Sequence, residues 1–83
     1  MTKLFDIAVR PREYSIVMEP AENGGFVVTV PALPEVATCG DTHDEALANA
    51  REAIELAIEY RQELGEPIPD DLAPVVKRVT VAA

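Results

Sequence analysis

Apolar and polar positions along the chain change period twice, and each change marks an element. Residues 3–9 set Phe5, Ile7 and Val9 against Asp6 and Ala8, the alternation of a short strand that Pro11 ends. Residues 14–19 and 26–30 are rich in β-formers and flank Pro20-Ala21-Glu22-Asn23-Gly24-Gly25. Asn-Gly-Gly readily takes the positive φ values of a tight reversal, so the two runs predict an antiparallel hairpin. The loop length is not fixed by the sequence, and one residue of slip exchanges the faces of residues 14–19. Pro31-Ala32-Leu33-Pro34 must bend, since neither proline can donate to a ladder, and residues 36–40 form a third short strand.

At Thr42 the period becomes helical. Thr42-His43-Asp44-Glu45 has the spacing of a capping box, and Asp41, Asp44 and Glu45 suit the positive end of a helix dipole. Leu47, Ala50, Ile54, Ala57, Ile58 and Leu64 lie on one stripe flanked by Ala46 and Ala53. Gly65 fits the left-handed position past the C-cap, with Pro67 just beyond. The prediction is a helix of about six turns. Glu45, Glu52, Glu55, Glu59 and Glu63 gather opposite that stripe, with Leu56 among them.

Beyond the proline-rich loop 66–74, residues 75–81 alternate well enough for a final strand, with Val79 and Val81 on one face and Lys77 between Val75 and Val79. A strand after a crossover helix lies parallel to an earlier one. The expected order is β-β-β-α-β: an α+β layer with one helix packed on one face of a mixed sheet. The other sheet face then has no cover from this chain, and a homo-oligomer, dimer or tetramer, is a natural way to bury it.

With 83 residues, 48% of them apolar and 27% charged, the chain is expected to form one domain, residues 1–83 with 1–12 as an N-terminal extension. No apolar run reaches the roughly 18–20 residues of a membrane span, and the N-terminus lacks signal-peptide regions, so the expected location is cytoplasmic. Charge is unevenly placed. Residues 1–40 sum to −2, residues 41–71 to −8 and residues 72–83 to +2, so the central third equals the whole net charge of −8. That field repels nucleic acid and anionic membranes and favours a basic partner, although charge alone speaks more for a well-solvated helix face that keeps the protein soluble.

Candidate chemistry is sparse. Cys39 is the single cysteine, so neither an internal disulfide nor a multi-cysteine zinc site can form, and a buried structural thiol is expected. His43 with Asp41 and Asp44 makes no recognised ligand set, and a surface position in the capping turn is expected for it. Nucleophile elbows and phosphate loops are missing, and the helical glutamates point away from the sheet, so no catalytic residue, metal or cofactor is expected.

The segments Tyr14-Ser-Ile-Val-Met-Glu, Gly24-Gly-Phe-Val-Val-Thr-Val-Pro-Ala-Leu-Pro34, Thr38-Cys-Gly-Asp-Thr42, Glu45-Ala-Leu-Ala-Asn-Ala50 and Gly65-Glu-Pro-Ile-Pro69, in this order and spacing, resemble the HicB-like antitoxin family. The resemblance covers about residues 14–70. It implies a partial ribonuclease H-like fold without nuclease activity. It also implies a partner, since family members neutralise HicA-type toxins, small basic mRNA-cleaving proteins, by covering their active site. Glu52, Glu55, Leu56, Glu59 and Glu63 are the candidate partner-binding residues.

The chain departs from the family pattern in two places. Glu35 follows Pro34 where the family often has glycine. Many members also carry a C-terminal helix-turn-helix or ribbon-helix-helix domain, which is not expected here, so direct nucleic-acid binding is not carried over. The alternative function is a non-catalytic oligomerisation or regulatory module without a dedicated toxin.

Overall fold

The structure is a computed structural model and describes residues 11–83; the strand expected at residues 3–9 lies outside them. Strands β1 (Val17–Pro20), β2 (Phe26–Thr29) and β3 (Ala37–Gly40) form an antiparallel sheet in the order β1-β2-β3, followed by one helix, α1 (His43–Glu63). This is an α+β layer. Its described strands are all antiparallel, in place of the mixed four-stranded sheet that the alternation at 75–81 predicts. Among the described residues, 75–81 pair with no strand. A strand exists only where an edge receives its donors and acceptors, and no edge of this sheet does so for that segment.

The hairpin forms where Gly24 and Gly25 allow it. Gly24 N–H donates to Ala21 O at 3.2 Å and Ala21 N–H to Gly25 O at 3.0 Å, with φ of +87° and +76° at the two glycines. This turn fixes Val17 opposite Thr29 and Met18 opposite Val28, which settles the face that the sequence leaves open. Ile16, Met18, Phe26 and Val28 face inward, while Val17, Glu19, Val27 and Cys39 take the opposite parity.

Two buried clusters hold α1 to the sheet. Val28 meets Ala46 and Ala50, with Ile16, Met18 and Phe26 at the margin. Val30, Leu33 and Val36 meet Tyr14, Ile16, Ala53, Ile54 and Ala57. The bend at 31–34 thus carries a central core residue, because Leu33 is fully buried and its N–H donates to Val30 O at 2.9 Å.

The helix is rotated from the orientation that the leucines imply. Ala46 and Ala50 are its buried residues, while Leu47 is 49% exposed and Leu64 is also exposed. The cause lies in β3. A Cβ on Gly40 would sit 2.4 Å from Ala46 N and 2.7 Å from its Cα, so backbone meets backbone here and only small helix side chains fit the contact.

The ends of α1 follow the sequence. Thr42 Oγ1 accepts from Glu45 N–H at 3.1 Å, and Glu45 Oε1 accepts from Asp41 N–H at 2.8 Å, one residue earlier than a strict capping box. At the other end Gly65, with φ +71°, donates to Gln62 O and Glu66 donates to Arg61 O, a Schellman closure.

Candidate functional surfaces

Helix periodicity places Glu45, Glu52, Glu55, Glu59 and Glu63 on the side of α1 away from Ala46 and Ala50, and all are exposed. Leu56, 58% exposed, stands among them, and Tyr60 is exposed on the Leu56 side. The helix's one last-turn cation, Arg61, turns away from this row. Its Nε donates to Glu35 Oε2 at 2.7 Å and its Nη2 to Glu35 Oε1 at 2.9 Å. The carboxylate row is therefore left without that guanidinium, and its field points outward.

A second feature borders the carboxylate row and shares Glu55 with it. Residues 11–15, the helix residues Arg51, Ile54, Glu55 and Ile58, and Asp71 enclose an open groove of about 850 Å³. Its far wall, residues 11–15, is tied to the loop that follows α1. Tyr14 Oη donates to Pro69 O at 2.6 Å, and Ser15 donates from N and Oγ to the two carboxylate oxygens of Asp71 at 2.8 and 2.7 Å. Those two donors, the backbone N–H first, hold the Asp71 carboxyl below its ordinary pKa by stabilising the anion.

The groups considered for chemistry fall apart in space. His43 opens α1 at the surface, its ring 4.3 Å from that of Phe26 and tilted by 56°, so it packs on the end of the hairpin. Cys39 is exposed, contrary to the buried thiol expected of it, because the register of β2 and β3 places it with Val27 on the sheet face away from α1. Its carbonyl accepts from Asn49 Nδ2 at 2.8 Å, which ties the helix across β3. Among the described residues no three His, Cys, Asp or Glu side chains are grouped so as to hold a metal ion, and no helix is long and apolar enough to cross a membrane.

The valines of the C-terminal segment, whose alternation predicts a strand within the sheet, form an exposed surface instead. Val75, Val76, Val79 and Val81 are all largely exposed, Val76 at 86%. Their alternation is the signal, but alternation does not distinguish a seated strand from a waiting one.

Against known proteins, the family model described as "HicB_like antitoxin of bacterial toxin-antitoxin system" matches residues 14–80. The chain belongs to the HicB-like antitoxin family. It is 41% identical over 61 residues to a protein of Photorhabdus laumondii named Antitoxin HicB 1, covering 74% of this chain and 39% of that one. To Antitoxin HicB of Escherichia coli K12 it is 36% identical over 56 residues, covering 68% and 41%. A UPF0150 protein of Thermoplasma acidophilum is 42% identical over 71 residues, covering 86% of this chain and 99% of that one. The chain thus spans about two fifths of the named HicB antitoxins and nearly the whole of the Thermoplasma protein. The match takes in the hairpin, β3, α1 and most of the C-terminal segment, so the sheet–helix layer and its exposed surfaces lie within the family's shared region.

Proposed function

We propose that this chain is a non-catalytic, cytoplasmic antitoxin that binds and neutralises a HicA-type mRNA-cleaving toxin by covering its active site. The observation that carries the reading is membership of the HicB-like antitoxin family by a chain whose helix turns a row of carboxylates to solvent. A toxin that cleaves mRNA must bind a polyanion, so its substrate surface is basic, and an anionic helix face competes for that surface through the same charge. Glu52, Glu55, Glu59 and Glu63 would steer and register the partner, and Leu56 would supply an apolar contact among them. On this reading the layer is a partial ribonuclease H-like fold, and the domain touches no nucleic acid itself.

The test is co-expression of the chain with the small basic protein encoded beside it, followed by capture and an mRNA-cleavage assay. Co-purification with loss of cleavage supports the reading. A neighbour that cleaves mRNA equally well with and without the chain would overturn it.

A second reading, an oligomerisation or regulatory module without a dedicated toxin, is favoured by one observation. The sheet face away from α1, on which Val27 and Cys39 are exposed, has no cover among the described residues. A chain that assembles with itself and captures no neighbour would favour this reading over the first.

A further inference from the structure

The hairpin turn holds a reactive pair of groups whose chemistry the proposed function leaves unused. Asn23 precedes Gly24, and both are exposed. An asparagine side chain can close a five-membered ring with the backbone nitrogen of the next residue, and a side chain on that residue shields the nitrogen from it. Gly24 offers no such shield. A Cβ on it would meet nothing within 4 Å, and an open pocket of about 250 Å³, with Asn23, Gly24, Cys39 and Asp41 in its lining, runs beside the turn. The bond that engages the nitrogen is a long one, Gly24 N–H to Ala21 O at 3.2 Å, and an exposed turn opens such a bond locally.

Asn49, the chain's other asparagine, is protected. It lies inside α1, where the following N–H, that of Ala50, belongs to the helical ladder. Ala50 is also buried, and Asn49 Nδ2 is held by Cys39 O at 2.8 Å. One chain thus presents the same side chain in a reactive setting and in a protected one.

Ring closure at Asn23 followed by hydrolysis gives two products, and the fold accommodates one of them. Aspartate keeps the ordinary backbone. Isoaspartate routes the main chain through its own Cβ and Cγ, adding a methylene to a turn that Ala21 N–H closes on Gly25 O at 3.0 Å. Beyond that turn there is no slack. A Cβ on Gly25 would sit 2.7 Å from Gly40 O, and a Cβ on Gly40 would sit 2.4 Å from Ala46 N. The hairpin, β3 and α1 therefore meet backbone to backbone in a row, and a longer turn must part them or break the Ala21–Gly25 pair.

We propose that Asn23 is a site of spontaneous deamidation, and that its isoaspartate product loosens the seam between the hairpin, β3 and α1. The Gly24 nitrogen gives its proton to solvent hydroxide and bonds to Asn23 Cγ; the Cγ–Nδ2 bond breaks, and ammonia leaves with a proton from water. Water then opens the cyclic imide. Cleavage of the new Cγ–N bond yields aspartate, and cleavage of the bond between the Asn23 carbonyl carbon and the Gly24 nitrogen yields isoaspartate. Either product adds a negative charge to a chain already at −8.

The test is ageing of the full chain in mildly alkaline buffer, with masses read on proteolytic fragments, isoaspartate read by its specific enzymatic methylation, and urea unfolding of the separated products. The fragment that holds Asn23 is expected to gain the mass difference between water and ammonia, while the fragment that holds Asn49 keeps its mass. N23Q, whose longer side chain closes a larger and slower ring, is expected to keep its mass over the same interval. Freshly purified N23D carries the product's charge on an ordinary backbone and is expected to unfold near the midpoint of the unaged chain, with the isoaspartate fraction unfolding at lower urea. Conversion at Asn23 no faster than at Asn49 would overturn the inference, as would an equal mass gain in N23Q. An isoaspartate fraction as stable as N23D would overturn the loosening of the seam. No toxin enters the experiment, so its outcome is separate from that of the toxin-binding test.

Discussion

Arg61 holds Glu35 in a two-pronged grip, Nε to Oε2 at 2.7 Å and Nη2 to Oε1 at 2.9 Å, and so fastens the bend after β2 to the last turns of α1. The guanidinium hydrogen bond, with the residue's own N–H second, lowers the Glu35 pKa from the ordinary 4.5; Ser15 lowers that of Asp71 from 3.8. A carboxyl with a lowered folded pKa stabilises the fold in full above its unfolded value and loses that contribution as pH falls through the folded one.

The acid limb of the stability curve should therefore steepen below the ordinary values of 4.5 and 3.8, and E35Q and D71N should each flatten it. Both groups are well exposed, so the losses at neutral pH are small and the Glu35 contribution fades with added salt. Thermal melts of the three proteins between pH 3 and 7, read against the general trend of about neutral maximum stability, check this.

Gly40 is where helix and strand meet backbone to backbone. G40A should cost about 3 kcal/mol in urea unfolding, near the upper end for overpacking, because the added methyl would meet Ala46 N at 2.4 Å and neither segment can yield alone. G24A, with nothing within 4 Å of the new methyl, should cost less and do so only through its φ of +87°.

Leu33 and Leu47 test the rotation of the helix. L33A removes a fully buried side chain from the cluster with Val30 and Val36 and should cost about 2–5 kcal/mol. L47A should stay within about 0.5 kcal/mol, since that side chain is half exposed. Chemical denaturation of the pair gives the answer, and equal losses would mean that α1 turns its leucines inward.

Thr42 caps α1 through Oγ1, and T42A should cost about 1 kcal/mol. Serine at the same position should restore most of the loss in a thermal melt, because it keeps the accepting oxygen.

Toxin binding, if it runs through the carboxylate row, is electrostatic in its kinetics. Reversing Glu52, Glu55 and Glu59 to lysine should slow association by at least about tenfold at low salt and by less at high salt, with the fold intact. Surface plasmon resonance at two ionic strengths reads both numbers. Unchanged association would move the interface to the open sheet face.

Local features of this fold were legible because their causes are local. Asn23-Gly24-Gly25 dictates a reversal through φ alone, Thr42 and Glu45 dictate a helix start through donors three and four residues away, and Gly65 dictates its end. The exposure of Glu52, Glu55, Leu56, Glu59 and Glu63 follows from period and charge.

What the amino-acid order determined by itself, then, is the sequence of elements up to α1, the helix ends, and an acidic face opposite an alanine-rich one. Only the tertiary structure decided that Leu47 is exposed, that Cys39 faces out, and that residues 75–81 stand unpaired. Each of these depends on a distance between segments far apart in the chain. Gly40 lets Ala46 approach too closely for leucine, and the hairpin turn sets the parity that β3 inherits through β2. Periodicity states what a segment is able to pair with; only packing decides whether an edge is there to receive it.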